Sequence, residues 1–251
     1  MDPIGPSSRN TWHADADHVD LRRPARASHP VTIAALPQRL TVDLARTALV
    51  AVDMQNDFCA PGGWLDHIGV DVTPARAPIE PLAALLPALR GAGVPVVWLN
   101  WGNRPDRANL PPNVLHVYDP DGAGTGIGQP LPGGSAVLEE GSWSAAIVDG
   151  LDVAADDLHV AKYRMSGFWD TPLDSILRNL DVTTLLLAGV NADQCVLATL
   201  IDAACAGYDC VYLEDCCATT SPTFCLDATV YNVRQCFGFT ASSDALVTAI
   251  G

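Results

Sequence analysis

Basic residues are scarce in this chain. Lysine and arginine together number 14 against 29 aspartates and glutamates, for a net charge of −15. There is no basic run, and both nucleic acid and anionic membranes need clustered Lys/Arg to bind. Neither is expected as a partner. The acidity serves solubility or, in a sharper alternative, a site that attracts cationic or neutral polar substrates. No apolar run reaches the ~18 residues of a membrane-spanning helix. Residues 1–30 hold no apolar signal-peptide core, so a cytoplasmic address with reduced thiols is expected. None of the eight cysteines has C-x-x-C spacing or a zinc-ligand pattern with His, so no metal is expected, and no cofactor either. The glycines of GAGTGIG at 122–128 miss the dinucleotide-binding register, and no strand precedes them.

What is present is apolar material, 49 % of 251 residues, enough for a well-buried core. TALVAVD at 47–53 is a continuous apolar run ending in an acid, the pattern of a strand covered on both faces. Further strands are expected at 94–101, 157–162, 183–190, 210–215 and 237–242. Helices are expected at about 77–92, with Pro near its start and Gly at its end, at 172–180, with Pro in its first turn, at 193–208, ended by Gly207, and at 222–236. Strands alternating with helices predict an α/β fold: a doubly wound three-layer α/β/α sandwich with a mostly parallel sheet. Residues 1–38 read as an N-terminal arm, extended or partly disordered, and 39–251 as the α/β domain. The Gly- and Pro-rich stretch 102–141 reads as a long loop region, which in a compact domain usually serves a site or an interface.

Reactive residues in such a sheet gather at the carboxyl ends of its strands. Asp53 ends the first strand, Lys162 ends the third, and Cys195 opens the helix after the strand at 183–190. A helix start and a nearby cation both lower a thiol pKa. A carboxylate can take the thiol proton and return it to a leaving amine. Free backbone N–H groups around 191–195 can hold an oxyanion. Taken singly, each residue also fits a structural role: a capping acid, a solvated lysine, a packing cysteine.

The three segments LVAVDMQNDFCAPGG, HVAKYRMSGFWDTPLDSILRN and LLLAGVNADQCV resemble the signature segments of the isochorismatase-like cysteine hydrolase superfamily, in order, over roughly residues 40–245. The resemblance implies a catalytic triad of Asp53, Lys162 and Cys195. It also implies a non-proline cis peptide at Val190–Asn191, with the amides of Asn191 and Cys195 as oxyanion hole. The implied chemistry is acyl transfer from a small amide, ureide or lactam to sulfur, release of ammonia or an amine, and hydrolysis of the thioester. Within the superfamily, KYRMSGFWDTPLDSILR is most similar to ureidoacrylate amidohydrolases, and GGWLDHIGVD resembles biuret hydrolases. Streptothricin hydrolase is a further relative. The D-x-H…H metal motif of nicotinamidases is absent: Asn100-Trp101-Gly102-Asn103-Arg104 stands there. Isochorismatases proper hydrolyse a vinyl ether without a nucleophilic cysteine, so Cys195 argues against that reaction. Two alternatives stay open, that vinyl ether reaction and a non-catalytic binding or assembly module. Gln55, Phe58, Asn100, Trp101, Tyr163, Phe168 and Trp169 neighbour the motifs and are candidate substrate contacts. Relatives imply a homo-oligomer, dimer or tetramer.

Overall fold

A computed structural model describes residues 1–251. Its centre is a six-stranded sheet: β1 (Thr47–Val52), β2 (Val96–Trp101), β3 (Leu158–Lys162), β4 (Thr184–Gly189), β5 (Asp209–Cys217) and β6 (Phe239–Ala241). The order across the sheet is β6-β5-β4-β1-β2-β3, and every neighbouring pair is parallel. The chain builds outward from β1 to β3, returns to the other side of β1 with β4, and builds outward again. That is a doubly wound sheet whose direction reverses between β1 and β4.

The sequence explains the layers. All six residues of β1 are buried, and so are all but the first of β4, as continuous apolar runs require. Helix α1 (Ile79–Gly91) buries Leu82, Leu85, Leu86 and Leu89, a stripe at helical spacing that faces the sheet. Helix α2 (Leu173–Asn179) links β3 to β4. After β4, residues Ala192–Val196 form a π turn that runs into α3 (Leu197–Cys205). Helix α4 (Thr223–Asn232) and a second π turn (Val233–Phe237) precede β6, and α5 (Ser243–Ile250) closes the chain, packed against α1.

The arm is built rather than trailing. Asp2–Ile4, Trp12–Ala14 and Val19–Asp20 form a small antiparallel sheet, and Pro30–Ile33 pairs antiparallel with Leu40–Asp43. The Arg9 guanidinium donates to the carbonyls of Ala45 and Gly93, which anchors the first segment to the domain.

Strand register sets the heights of the strand ends. Val52 lies level with Leu99 on one side and Gly189 on the other, and Trp101 lies level with Lys162. At Gly189 the chains pass so closely that a Cβ would stand 2.0 Å from the Val52 carbonyl oxygen, and φ is +115°. Only glycine fits there. The close approach brings the ends of β1 and β4 together at the point where the sheet reverses direction.

Candidate active site

Asp53 follows directly on β1. Its φ is +50°, in the left-handed region that few non-glycine residues enter. Its own carbonyl accepts the Gln55 N–H across a tight turn at 2.7 Å. This turn folds the side chain back over β2. There Oδ1 accepts the Trp101 N–H at 2.9 Å. Gln55 supports the same point: Oε1 accepts the Trp101 N–H at 2.8 Å, and Nε2 donates to the Trp101 carbonyl at 2.8 Å.

Lys162, the only lysine in the chain, ends β3 two strands away. Its side chain crosses over the end of β2, with Nζ 4.4 Å from the centre of the Trp101 ring. It reaches Asp53 Oδ2 at 2.7 Å, and both side chains are 0 % exposed. The contact is an ion pair buried away from water. Nζ also donates to the Arg164 carbonyl at 3.3 Å.

Cys195 lies within the electrostatic reach of both charges. It sits in the π turn after β4 rather than in the first turn of an α-helix, since α3 begins at Leu197. The Val190–Asn191 peptide just ahead is cis. Asn191 is buried, and its backbone N–H makes no hydrogen bond within the protein. A buried N–H without a partner is rare. The Asn191 side-chain oxygen accepts the Thr220 N–H at 3.2 Å, which fixes the residue.

The electrostatics correct one expectation. The thiol of Cys195 is not lowered but pushed up to about 12, mainly by burial; Lys162 pulls it down, and Asp53 opposes that pull. Burial likewise lifts the Asp53 carboxyl above its ordinary range, against the attraction of Lys162. Burial alone would lower the Lys162 ammonium, but the Asp53 carboxylate and the cysteine outweigh it, so it is raised. Burial thus works to keep the proton on the sulfur, while Lys162 opposes the rise of the Asp53 carboxyl.

An open cavity of about 700 Å³ lies beside the turn that carries Cys195; Asp53, Lys162 and Cys195 are not among its lining residues, and Met165 stands between the sulfur and the cavity. Asp193 and Gln194, the two residues before the cysteine, line it, and so does Met165, whose Sδ is 3.8 Å from Cys195 Sγ. Tyr118, held by Gln194 and packed edge-on to Trp64 at 5.4 Å, forms another wall with Val117. Val70, Ala198 and the segment Thr220–Pro222 complete it.

None of the seven candidate substrate contacts lines this cavity. Gln55 and Trp101 are buried and hold Asp53 in place. Phe58 is buried and packs edge-on to Trp64 at 6.2 Å. Asn100 lines a separate cavity of about 210 Å³ with Trp98 and His159. The Tyr163 hydroxyl donates to the Asp170 carbonyl, Phe168 packs on Tyr208, and the exposed Trp169 donates to Asp202. Sequence reading missed Tyr118, Met165, Asp193 and Gln194. Three of these lie within the quoted motifs, and Tyr118 lies in the 102–141 loop region read as serving a site.

Comparison with known proteins agrees with this architecture. The Isochorismatase domain family matches residues 47–245. Ureidoacrylate amidohydrolase RutB from Rhizobium rhizogenes is 36 % identical over 220 residues, covering 87 % of this chain and 89 % of that protein. Among solved structures, a cysteine hydrolase from Pseudomonas syringae pv. phaseolicola superposes with a TM-score of 0.72 at 25 % identity, covering 89 % of this chain and 98 % of the other. N-carbamoylsarcosine amidase from Thermoplasma acidophilum gives 0.59 at 26 % identity, with 79 % and 97 % covered. A domain match over most of the sequence, on a sheet of this topology, means that the chain belongs to the isochorismatase family.

Proposed function

We propose that the protein is a cysteine-dependent amidohydrolase that cleaves a C–N bond in a small amide, ureide or lactam. The observation that carries the reading is the dry contact of Asp53 with Lys162 at 2.7 Å, with the Cys195 thiol within the field of both charges and its sulfur 3.8 Å from Met165, which lines an open cavity. The names of ureidoacrylate amidohydrolase and N-carbamoylsarcosine amidase support the bond type.

The chemistry follows from the geometry. Asp53 Oδ2 accepts the Sγ proton as sulfur attacks the substrate carbonyl. Because the free thiol holds its proton tightly, transfer and attack run together and no resting thiolate accumulates. The carbonyl oxygen gains charge within reach of the N–H groups of Asn191 and Cys195. Lys162 stays charged and steadies both the carboxylate and the departing thiolate. The intermediate expels ammonia or an amine, which takes the proton back from Asp53. Water, activated by the same carboxylate, then hydrolyses the thioester and returns the proton to sulfur. A ureide that transfers its urea carbonyl to the Cys195 sulfur, with loss of one nitrogen as ammonia or an amine, yields a carbamate on hydrolysis, which loses carbon dioxide.

The test is ammonia or amine release from a panel of amides, ureides and lactams by the native protein and by Cys195→Ala. Release by the native protein alone supports the reading. Full activity in Cys195→Ala overturns the mechanism, and silence of the native protein across the panel overturns the bond type.

The proposal includes a cytoplasmic homo-oligomer, dimer or tetramer. Phe224 and Tyr231 support it: they are seven residues apart on α4 and both strongly exposed, an apolar stripe with no cover in one copy. A monomeric mass by light scattering would remove this part.

A further inference from the structure

The amide recognised by the site is not free to be of any charge. The walls of the cavity carry six apolar or aromatic side chains, among them Val70, Val117, Tyr118 and Met165, and no Lys, Arg or His. The only ionisable group among them besides the Tyr118 phenol is Asp193, two residues before the nucleophile. Asp193 accepts a hydrogen bond from the Thr219 hydroxyl and pairs with no cation. Nearby, the Gln194 amide joins the Tyr118 and Ser221 hydroxyls at 3.1 and 3.3 Å, a neutral set able to donate and accept. Lys162, the one cation at the reactive centre, is fully buried and already neutralised by Asp53. A carboxylate entering this space would meet Asp193 and find no cation among the walls, so like-charge repulsion goes uncompensated. Size points the same way. A space of about 700 Å³ is in the range that takes drug-sized ligands, well beyond a ureido acid of three carbons.

We propose that the amide this cavity delivers to Cys195 is an uncharged or cationic one bearing an apolar or aromatic group, and not a carboxylate-bearing ureide of the ureidoacrylate type. The inference rests on the amidohydrolase reading above and narrows its substrate class. The cavity walls exclude anions, Asp193 favours an ammonium, Gln194 with Tyr118 and Ser221 orients the amide, and the apolar walls take the hydrocarbon.

The experiment uses three primary amides on one frame: 3-phenylpropanamide, its α-ammonium form phenylalaninamide, and its α-carboxylate form 2-carbamoyl-3-phenylpropanoate, with ureidoacrylate as a fourth compound. Affinity is read by calorimetry on full-length Cys195→Ala, which needs no turnover, and kcat/KM for ammonia release is read on the native protein. The neutral and cationic amides are expected to bind at least ~10-fold more tightly than either anion. Added salt is expected to weaken the cation and strengthen the anions, since it screens Asp193. Asp193→Asn, which still accepts from Thr219, is expected to narrow the gap with the neutral amide unmoved. Equal or tighter binding of either anion overturns the inference while ammonia release leaves the hydrolase reading standing. Clear binding order without ammonia release does the reverse. Binding of none of the four overturns the inference outright.

Discussion

Replacing Lys162 by methionine tests the centre most directly. Methionine keeps most of the length and the contact with Trp101 but removes the charge. Asp53 is then a buried carboxylate with no cation, since Oδ1 keeps the Trp101 N–H and Oδ2 faces only the thiol. Breaking a dry ion pair from one side costs about 3–5 kcal/mol. In a domain of this size each kcal/mol moves the melting temperature by about 2–4 °C. The expected drop at pH 7 is therefore about 6–20 °C by calorimetry. Without Lys162 the carboxyl is pushed further up and nothing steadies charge on the sulfur, so turnover is expected to disappear. Asp53→Asn combined with Lys162→Met removes both charges and keeps an acceptor for Trp101. The double variant is expected to recover most of the lost stability and none of the activity. A loss below about 1 kcal/mol in Lys162→Met is the value of a solvated surface pair and would refute the dry contact. So would a double variant no more stable than the single.

Two further outcomes are expected. Burial holds the thiols of Cys59, Cys195 and Cys210 up at about 12, against about 8.5 in an unfolded chain. The folded state thus keeps protons that the unfolded state releases, and stability is expected to fall between these values by about 1.4 kcal/mol per thiol per pH unit; a melting temperature unchanged from pH 8 to pH 10 would contradict this. Gly189→Ala drives a methyl into the Val52 carbonyl at a positive φ, so a loss above about 4 kcal/mol and little soluble protein are expected; a variant melting within 3 °C or so of the native protein would show that β1 and β4 can separate.

Much of the fold is legible because burial on both faces leaves a plain mark. TALVAV and TLLLAG read as central strands without any partner in view, and they are β1 and β4. The end of each strand is also legible, which is how Asp53 and Lys162 stand out. The cavity walls are not, because sequence neighbours of a strand end need not face the same space. Asn100 and Trp101 are adjacent, yet one lines a different cavity and the other braces the carboxylate. Tyr118 reaches Gln194 across 76 residues of chain, a contact that no local pattern encodes. The π turn at Ala192–Val196 escaped for a related reason: its i→i+5 bond from Val196 to Asn191 breaks the 3.6-residue rhythm by which helices are read. The thiol acidity was misjudged since a sequence displays the neighbouring charge but not the depth of burial.

The long reach of Lys162 ties chemistry to the rim of the sheet. Strand β3 is outermost on its side, so the ammonium that meets Asp53 is carried by an edge of the sheet while the carboxylate comes from its centre. Any loosening of that rim moves the two charges apart even while the inner strands hold.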